Sequence, residues 1–536
     1  MNEARKKDKF FMSKFNQYKN YIINLIVPAV IFGFLTGTLT SFVVTLYKHI
    51  AHHVIHYSQV GYEFLRGHIY LLPLVIIALG GFSFLLAFIY RRVPNLRGGG
   101  IATSVGILRG LITFKWLRSV VGVFVLSICS FLIGVPLGNE GPAVQMGTSL
   151  GRGGVKLFAK THGAWDRYSM TGGACAGFSV ATGAPISGIL FAIEEAHQRI
   201  TPMIMIVASS SVLFANISAR AFAPFFGVST SLFGELSLPK LQVKELWIPL
   251  VVGLVVGVLG ALILKYYQVL KRFFAKTVKI PMQYKIFIVL TLTVCVGLFS
   301  FSAVSTGHEL IKELFSPENS FTILALILIF IARTTLTISA STNGITGGLF
   351  IPSLALGATL SAIIGKIALN MGMDSKLYVV ILVLGIVASL SGLMKMPLTA
   401  IIFALEALFC YENIIAVIIV VLVSYFVTEV FEAKSINDSA MEARVEELSH
   451  GKEMKIINKD VTVMPGSFAS GKQIRDIFWP ANLFVLSLTK AETQSEEMDG
   501  HGGKELHAGD ILNVQYSTVD EEETWQELVS IVGKQE

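Results

Sequence analysis

Apolar and polar positions separate along this chain in blocks. Apolar runs follow one another at 21–47, 70–90, 119–137, 246–264, 286–304, 321–331, 379–390 and 414–430, and charge crowds into the two ends. Several runs reach the roughly 20 residues that a helix needs to cross hydrocarbon. The pattern therefore predicts a polytopic α-helical membrane protein. Composition points the same way: of 536 residues, 53% are hydrophobic and 15% charged, where a soluble domain carries about 25% charged residues.

The net charge of +7 matters through its placement. Arg5, Lys6, Lys7, Lys9, Lys14 and Lys19 stand against Glu3 and Asp8 just ahead of the first run. The positive-inside rule then puts the N-terminus in the cytoplasm. This lead has no small-residue cleavage site and its run is too long for a signal peptide. Cys129, Cys175, Cys295 and Cys410 all sit in apolar stretches without a C-x-x-C pair or a histidine at ligand spacing. They read as small buried hydrophobes, with no metal site.

The chain divides into a basic segment (1–20), a membrane domain (21–440), a polar helix-prone connector (441–453), a soluble domain (454–520) and an acidic tail (521–536). The membrane domain contains an internal repeat. Residues 176–195 (AGFSVATGAPISGILFAIEE) align without a gap to 388–407 (ASLSGLMKMPLTAIIFALEA), pairing Pro185 with Pro397, Phe191 with Phe403 and Glu194 with Glu406. Upstream, Pro142-x4-Gly147 mirrors Pro352-x4-Gly357. The prolines are 43 residues apart in the first copy and 45 in the second. Two matches in the same order define halves at roughly 21–230 and 240–440.

Repeats of this kind in transporters place a site between the halves, built from broken helices. Glycine clusters mark where helices break: Arg97-Gly98-Gly99-Gly100, Gly138-Asn139-Glu140-Gly141-Pro142, and 344–352 (GITGGLFIP). A helix that starts inside the membrane directs unpaired N–H groups and a partial positive charge at whatever lies ahead. Several such starts converging make an anion site that holds no full positive charge. Taken singly, each cluster reads rather as close helix packing or a re-entrant turn, and it is their joint occurrence, with prolines just inside two of the helix starts, that favours the anion site.

Intramembrane carboxylates are costly and mark function. Glu140, in the glycine-proline loop, is itself an anion and can occupy the site as a tethered competitor that leaves when protonated. Glu194 and Glu195 end the first repeat helix near a cytoplasmic mouth, and Glu194 and Glu406 read as ordinary interfacial carboxylates. Arg333 and Lys395 are expected to pair with acceptors or snorkel.

These motifs resemble the CLC family of chloride channels and proton-coupled anion exchangers over residues 20–440. Gly138-Asn139-Glu140-Gly141-Pro142 is similar to the family's G-[KR]-E-G-P, Gly348-Leu349-Phe350-Ile351-Pro352 to G-x-F-x-P, and 98–102 (GGGIA) to G-S-G-I-P. The resemblance implies a homodimer with one pore per subunit. It makes Glu140 the gating glutamate and Glu195 the internal proton-transfer glutamate of the exchanger branch. It also implies anion binding around Gly99, Gly100, Asn139, Gly141, Leu349, Phe350 and Asn437. The family's serine is Gly99 here and its pore tyrosine falls at Asn437, so both side-chain ligands of the central anion are expected to be missing. Asn139 in place of the basic residue is a feature of the fluoride-exporting branch, although that branch is compact. Chloride is the first expectation and fluoride the second.

From 454 the pattern becomes mixed α/β. Strands are expected at 461–464, 483–488 and 511–516, with a short helix at 472–477. The ending L-x-x-G-D-x-L-x-V at 506–514 resembles the C-terminal subdomain of regulators of potassium conductance, of TrkA-C (RCK-C) type. That resemblance implies a dimeric sensor of a small molecule, with cyclic di-AMP a candidate ligand, or a dimerisation clamp without one.

The expected function is exchange of chloride for protons across a bacterial cell membrane, with both termini cytoplasmic and the soluble domain regulating transport. The alternatives are a fluoride/proton antiporter and a passive anion channel. An accessory of potassium transport would need a cation filter or a G-x-G-x-x-G unit following a soluble strand, and neither is present. The acidic C-terminal region opposes nucleic-acid binding, and no catalytic constellation supports an enzyme or a cofactor.

Overall fold

The computed structural model describes residues 22–98, 100–158, 163–276, 280–316, 318–448, 455–480, 482–491, 496–497, 502–518 and 521–535. The basic lead and Gly99 lie outside these. In the first half the helices are α1 (Val27–Gly67), α2 (Leu72–Arg92), α3 (Ile101–Leu108), α4 (Trp116–Ile133), α5 (Glu140–Phe158), α6 (Asp166–Thr182), α7 (Pro185–Phe191) and α8 (Pro202–Phe226). In the second half they are α9 (Trp247–Lys276), α10 (Met282–Phe299), α11 (His308–Leu314), α12 (Ile323–Thr342), α13 (Phe350–Asn370), α14 (Lys376–Met394), α15 (Pro397–Glu406) and α16 (Ile414–Val430). Helix α17 (Ile436–Leu448) leads to the C-terminal domain. Among the described residues, ten helical segments are long and apolar enough to cross a membrane.

The two halves pack alike. Helices α5 and α6 form a tight pair, matched by α13 and α14. Helix α1 runs against α8 as α9 runs against α16. Small residues allow the close approach that lipid-embedded helices need. A Cβ on Gly147 would stand 2.0 Å from the Gly173 carbonyl oxygen, and one on its counterpart Gly357 would stand 2.4 Å from the Gly385 carbonyl oxygen. No other residue fits at these crossings.

Several expected boundaries differ. Helix α1 continues some 20 residues past its apolar run and carries His49, His52, His53 and His56. At ~1.5 Å per residue its 41 residues reach ~60 Å, well beyond a bilayer core. Helices α5 and α6 lie in no long apolar run because they are buried by protein on nearly all sides, and their faces are rich in Gly, Ser and Thr. Arg333 is fully buried in α12 and donates to the carbonyls of Ser302, Val304 and Ser305. Lys395 pairs with Glu429 at 2.7 Å. All four cysteines are free thiols.

The C-terminal domain is an antiparallel sheet of β1 (Lys455–Thr462), β2 (Leu483–Thr489), β3 (Glu496–Glu497) and β4 (Ile511–Thr518), in spatial order β1-β4-β2-β3. Strand β1 starts six residues before the expected 461, since all eight of its residues pair with β4. The expected helix at 472–477 is only a 3-10 turn, Ile474–Asp476. Its first two N–H groups bond across the chain instead, Ile474 to Lys504 and Arg475 to Gly502, and Trp479 precedes a proline, which disfavours helix. The stretch read as an acidic tail is a helix, α18 (Glu521–Val532), whose Leu528, Ile531 and Val532 pack into the core with Leu512 and Val514. Its acidic residues cluster in the first turn, where the helix dipole favours them.

This domain lies on one face of the membrane part. Tyr168 Oη donates to the Asp476 carbonyl at 2.8 Å and Arg167 Nη1 to the Trp479 carbonyl at 2.6 Å. Arg167 also pairs with Glu527, and Arg152 with Glu523. Phe478 is buried against Tyr168 and His197, under the guanidinium groups of Arg167 and Arg199. Between the two parts lies a cavity of ≈ 380 Å³ bordered by Arg152, Lys156, Arg167, Glu523 and Glu527.

Candidate functional site

The starts of α3, α5 and α13 converge where the two halves cross. Gly138 and Gly348, equivalent in the repeat, exchange N–H···O bonds of 2.7 and 2.8 Å. A Cβ on Gly141 would stand 2.6 Å from Gly348 Cα and 3.1 Å from Gly100 Cα. The glycine clusters therefore let three main chains touch, and three helix N-termini point into one region.

Glu140 is fully buried there. Its carboxylate faces its own N–H and the Ile351 N–H in the first turn of α13. The Asn139 amide nitrogen, in the orientation that satisfies both side chains, donates to Glu140 Oε1 at 2.6 Å. A carboxylate thus sits on the N-terminus of the second-half helix, where a free anion would otherwise bind.

Glu195 lies on the π-helical turn Ala192–His197 that continues α7, and it is 6% exposed. Asn437 and Asp438 of α17, together with Arg109, surround it. Arg109 fixes the turn by donating to the Glu195 and Ala196 carbonyls at 2.9 and 3.2 Å. Asn437 also lines a cavity of ≈ 20 Å³ with Ile101, Ala102, Thr103, Tyr267 and Leu349. That volume holds about one water-sized occupant.

Not every expected residue serves as expected. The Gly100 N–H donates to Gln145 Oε1 at 2.7 Å, and Gln145 in turn donates to the Asn95 carbonyl. This correction follows from Gln145 lying one turn into α5, where it caps α3, so the Gly100 amide is not free for an anion. Phe350 opens α13, and its ring packs edge-on against Phe178 and Phe403, an apolar wall behind the site. Leu349 faces the cavity and Gly141 forms the crossing itself.

Gly99 and Asn437 stand where the family's serine and tyrosine would, but other hydroxyl-bearing residues border the small cavity. Thr103 lines the cavity from α3, and Tyr267 and Ser341 line it from α9 and α12, their hydroxyls bonded to each other at 3.2 Å. Thr103 follows its glycine cluster closely enough to be visible in sequence. Tyr267 lies over 150 residues from that cluster, and no spacing ties the two together.

Residues 82–429 match the family described as voltage gated chloride channel. The chain belongs to this CLC family. Among curated CLC relatives, the H(+)/Cl(-) exchange transporter ClcA of Salmonella agona is 30% identical over 366 residues, which is 66% of this chain and 75% of that one. ClcA of Klebsiella pneumoniae (strain 342) is 29% identical over 345 residues, 62% of this chain and 71% of the relative. These CLC relatives are transporters by name, not enzymes. Among solved structures, a slow cyanobacterial Cl-/H+ antiporter superposes with a TM-score of 0.70 at 22% identity, covering 78% of this chain and 98% of its own. A CLC-type fluoride/proton antiporter gives 0.61 at 19% identity, covering 77% and 98%. The CLC match ends before the C-terminal domain begins.

Proposed function

We propose that this CLC protein is a secondary active exchanger that moves chloride in one direction and protons in the other. The observation that carries this reading is a pair of buried carboxylates, Glu140 and Glu195, at the crossing of the halves and at the turn after α7. Glu140 sits at the α13 N-terminus as an internal anion, and Glu195 stands beside Asn437, which lines the small cavity. An anion and the Glu140 carboxylate compete for the same N–H groups. Protonation releases Glu140, and the proton leaves through Glu195.

The face that carries the C-terminal domain is taken as cytoplasmic, with both termini on that side of a bacterial membrane, and the protein as a homodimer. The C-terminal domain is proposed to be of TrkA-C type and to regulate transport on binding a small molecule, cyclic di-AMP being the first to try by calorimetry on the whole chain. Its docking beside the Glu195 turn, through Phe478 and His197, supports a regulatory role.

Fluoride is a second reading, favoured by Asn139. This residue replaces the basic one with an amide that binds Glu140 directly. Anion efflux from proteoliposomes, chloride against fluoride with external pH recorded, tests both readings. Chloride efflux with stoichiometric proton uptake supports the first, a fluoride preference supports the second, and anion flux without proton movement refutes exchange.

A further inference from the structure

Beside the small cavity, which Arg444 lines, two arginines share one carboxylate. Arg444 of α17 is 6% exposed, and Arg97 precedes the glycine cluster before α3. Both pack over the main-chain bond from Gly98 N–H to the Gly344 carbonyl. A Cβ on Gly344 would stand 2.3 Å from Arg97 Cγ and 2.8 Å from Arg444 Nη2, and one on Gly98 would stand 2.6 Å from Arg444 Nε. Glycine at these positions makes room for the two side chains. Glu447 bridges them, with Oε2 at 2.6 Å from Arg444 Nη1 and Oε1 on Arg97 Nη1.

The other carboxylates of α17 are engaged elsewhere: Asp438 with Arg109, Glu442 with Lys434 and Glu446 with Lys271. Among the described residues the pair therefore keeps one positive charge in excess. The polar groups around it are donors in want of acceptors. Thr103 Oγ1, 1% exposed and lining the cavity, has no hydrogen-bond partner, and neither has Arg97 Nε. Asn437 Nδ2 sits beside the Glu195 carboxylate but makes no hydrogen bond of ordinary geometry. Excess positive charge and orphan donors around a water-sized space are what a small monovalent anion requires.

We propose that Arg97 and Arg444, with Thr103, form a second anion station at the domain-bearing mouth of the pore, and that Glu447 is its tethered competitor. The station holds a halide-sized anion when Glu447 swings away and is shut when Glu447 bridges the arginines. Glu447 is followed by Leu448, the last described residue of α17, and β1 of the C-terminal domain begins at Lys455. Movement of that domain and release of Glu447 are thus linked by a short stretch of chain. The station rests on the anion-transport reading above.

The test uses the full chain in proteoliposomes, with chloride and then fluoride varied on the domain-bearing side alone. Removing a tethered competitor raises apparent affinity, so Glu447→Gln lowers the half-saturating concentration on that side about tenfold and leaves the other side unchanged. Arg444→Gln raises it by a similar factor, and Arg444→Lys, which keeps the charge, restores most of the loss. Variants that transport anions with unchanged one-sided half-saturation overturn the station. Calorimetric titration of the purified chain with chloride and fluoride separates this from failure of the transport reading. A binding step in Glu447→Gln that is absent from Glu447→Gln/Arg444→Gln upholds the station even where no flux is seen. Identical titrations for the two variants reject it.

Discussion

Glu194 holds Thr399 twice, its Oε2 accepting from the Thr399 N–H at 2.7 Å and from the Thr399 hydroxyl at 2.6 Å. Its Oε1 takes the Leu398 N–H at 2.8 Å. The repeat mate does the same in reverse: Glu406 accepts from the Ile186 and Ser187 N–H groups at 2.7 and 2.8 Å and from the Ser187 hydroxyl at 2.9 Å. Each half thus ends its short helix with a carboxylate that caps the short helix of the other. These residues are more than the interfacial pair expected from sequence. They satisfy orphan N–H groups and complement the helix dipole where water is scarce. They also tie α7 to α15 along the pseudo-two-fold.

Glu194→Gln and Glu406→Gln keep the shape but lose the charge, and each should cost about 1–2 kcal/mol. Thermal unfolding in detergent should show a lowered midpoint for either variant. Unchanged midpoints in both would show that the caps contribute little.

At Glu140, glutamine mimics the protonated side chain and alanine removes the competitor. In either variant proton movement should fall to the leak of empty vesicles while anion flux continues. Wild-type flux should rise as pH falls, because protonation removes the charge that holds Glu140 at the α13 N-terminus. Flux through Glu140→Ala should be flat with pH, and a pH slope equal to wild type would count against the competitor role.

Glu195→Gln separates the two pathways. The Asn437 side chain stays in place and the cavity keeps its lining, so anion flux should persist within about two- to threefold while proton uptake disappears, the carboxylate being the proton carrier. Retained proton uptake would remove Glu195 from the proton path.

In the C-terminal domain, Asp510 anchors the turn before β4. Its carboxylate accepts from Lys490 Nζ at 2.7 Å and from the His507 and Ala491 N–H groups at 2.9 and 3.1 Å. Burial pushes this carboxyl up, and those partners together outweigh it, leaving it below the ordinary Asp value. A lowered folded value means the stabilisation is full above about pH 4, the unfolded value, and fades as pH falls through the folded one. Asp510→Asn should destabilise the domain by about 2 kcal/mol at neutral pH and flatten its loss of stability as pH falls below about 4. Hydrogen exchange of β4 amides across that range reads both effects.

Phe478 ties the C-terminal domain to the Glu195 turn. Replacing it by alanine empties the space among Arg167, Tyr168, His197 and Arg199 at a cost of about 3 kcal/mol. Faster hydrogen exchange at the start of α6, with β1 and β4 unchanged, is the expected signature. Equal acceleration throughout the domain would point to misfolding rather than undocking.

Local chemistry made much of this protein legible in its sequence. The apolar runs, the repeated proline spacing and the glycine-flanked Glu140 each lie within a short stretch, and each has a direct physical consequence. What lay hidden depends on distance along the chain. Helices α5 and α6 carry Gly, Ser and Thr because protein rather than lipid surrounds them, so hydropathy passes over them. Tyr267 and Thr103 meet only through the crossing of the halves, and Gln145 claims the Gly100 amide from a different helix. The roles of Glu194 and Glu406 emerge only once α7 and α15 lie antiparallel. In the C-terminal domain, the acidic residues of α18 masked an apolar face whose spacing at 528, 531 and 532 was nonetheless helical.

The central claim is that anion and proton movements are coupled, and the reversal potential tests it most directly. Vesicles containing the purified chain are given fixed chloride gradients, and the voltage of zero net flux is found at several pH gradients. Coupled exchange predicts a reversal potential that shifts with the pH gradient and loses that shift in Glu140→Gln. A reversal potential that follows the anion gradient alone, whatever the pH, would contradict the account and make the protein a channel.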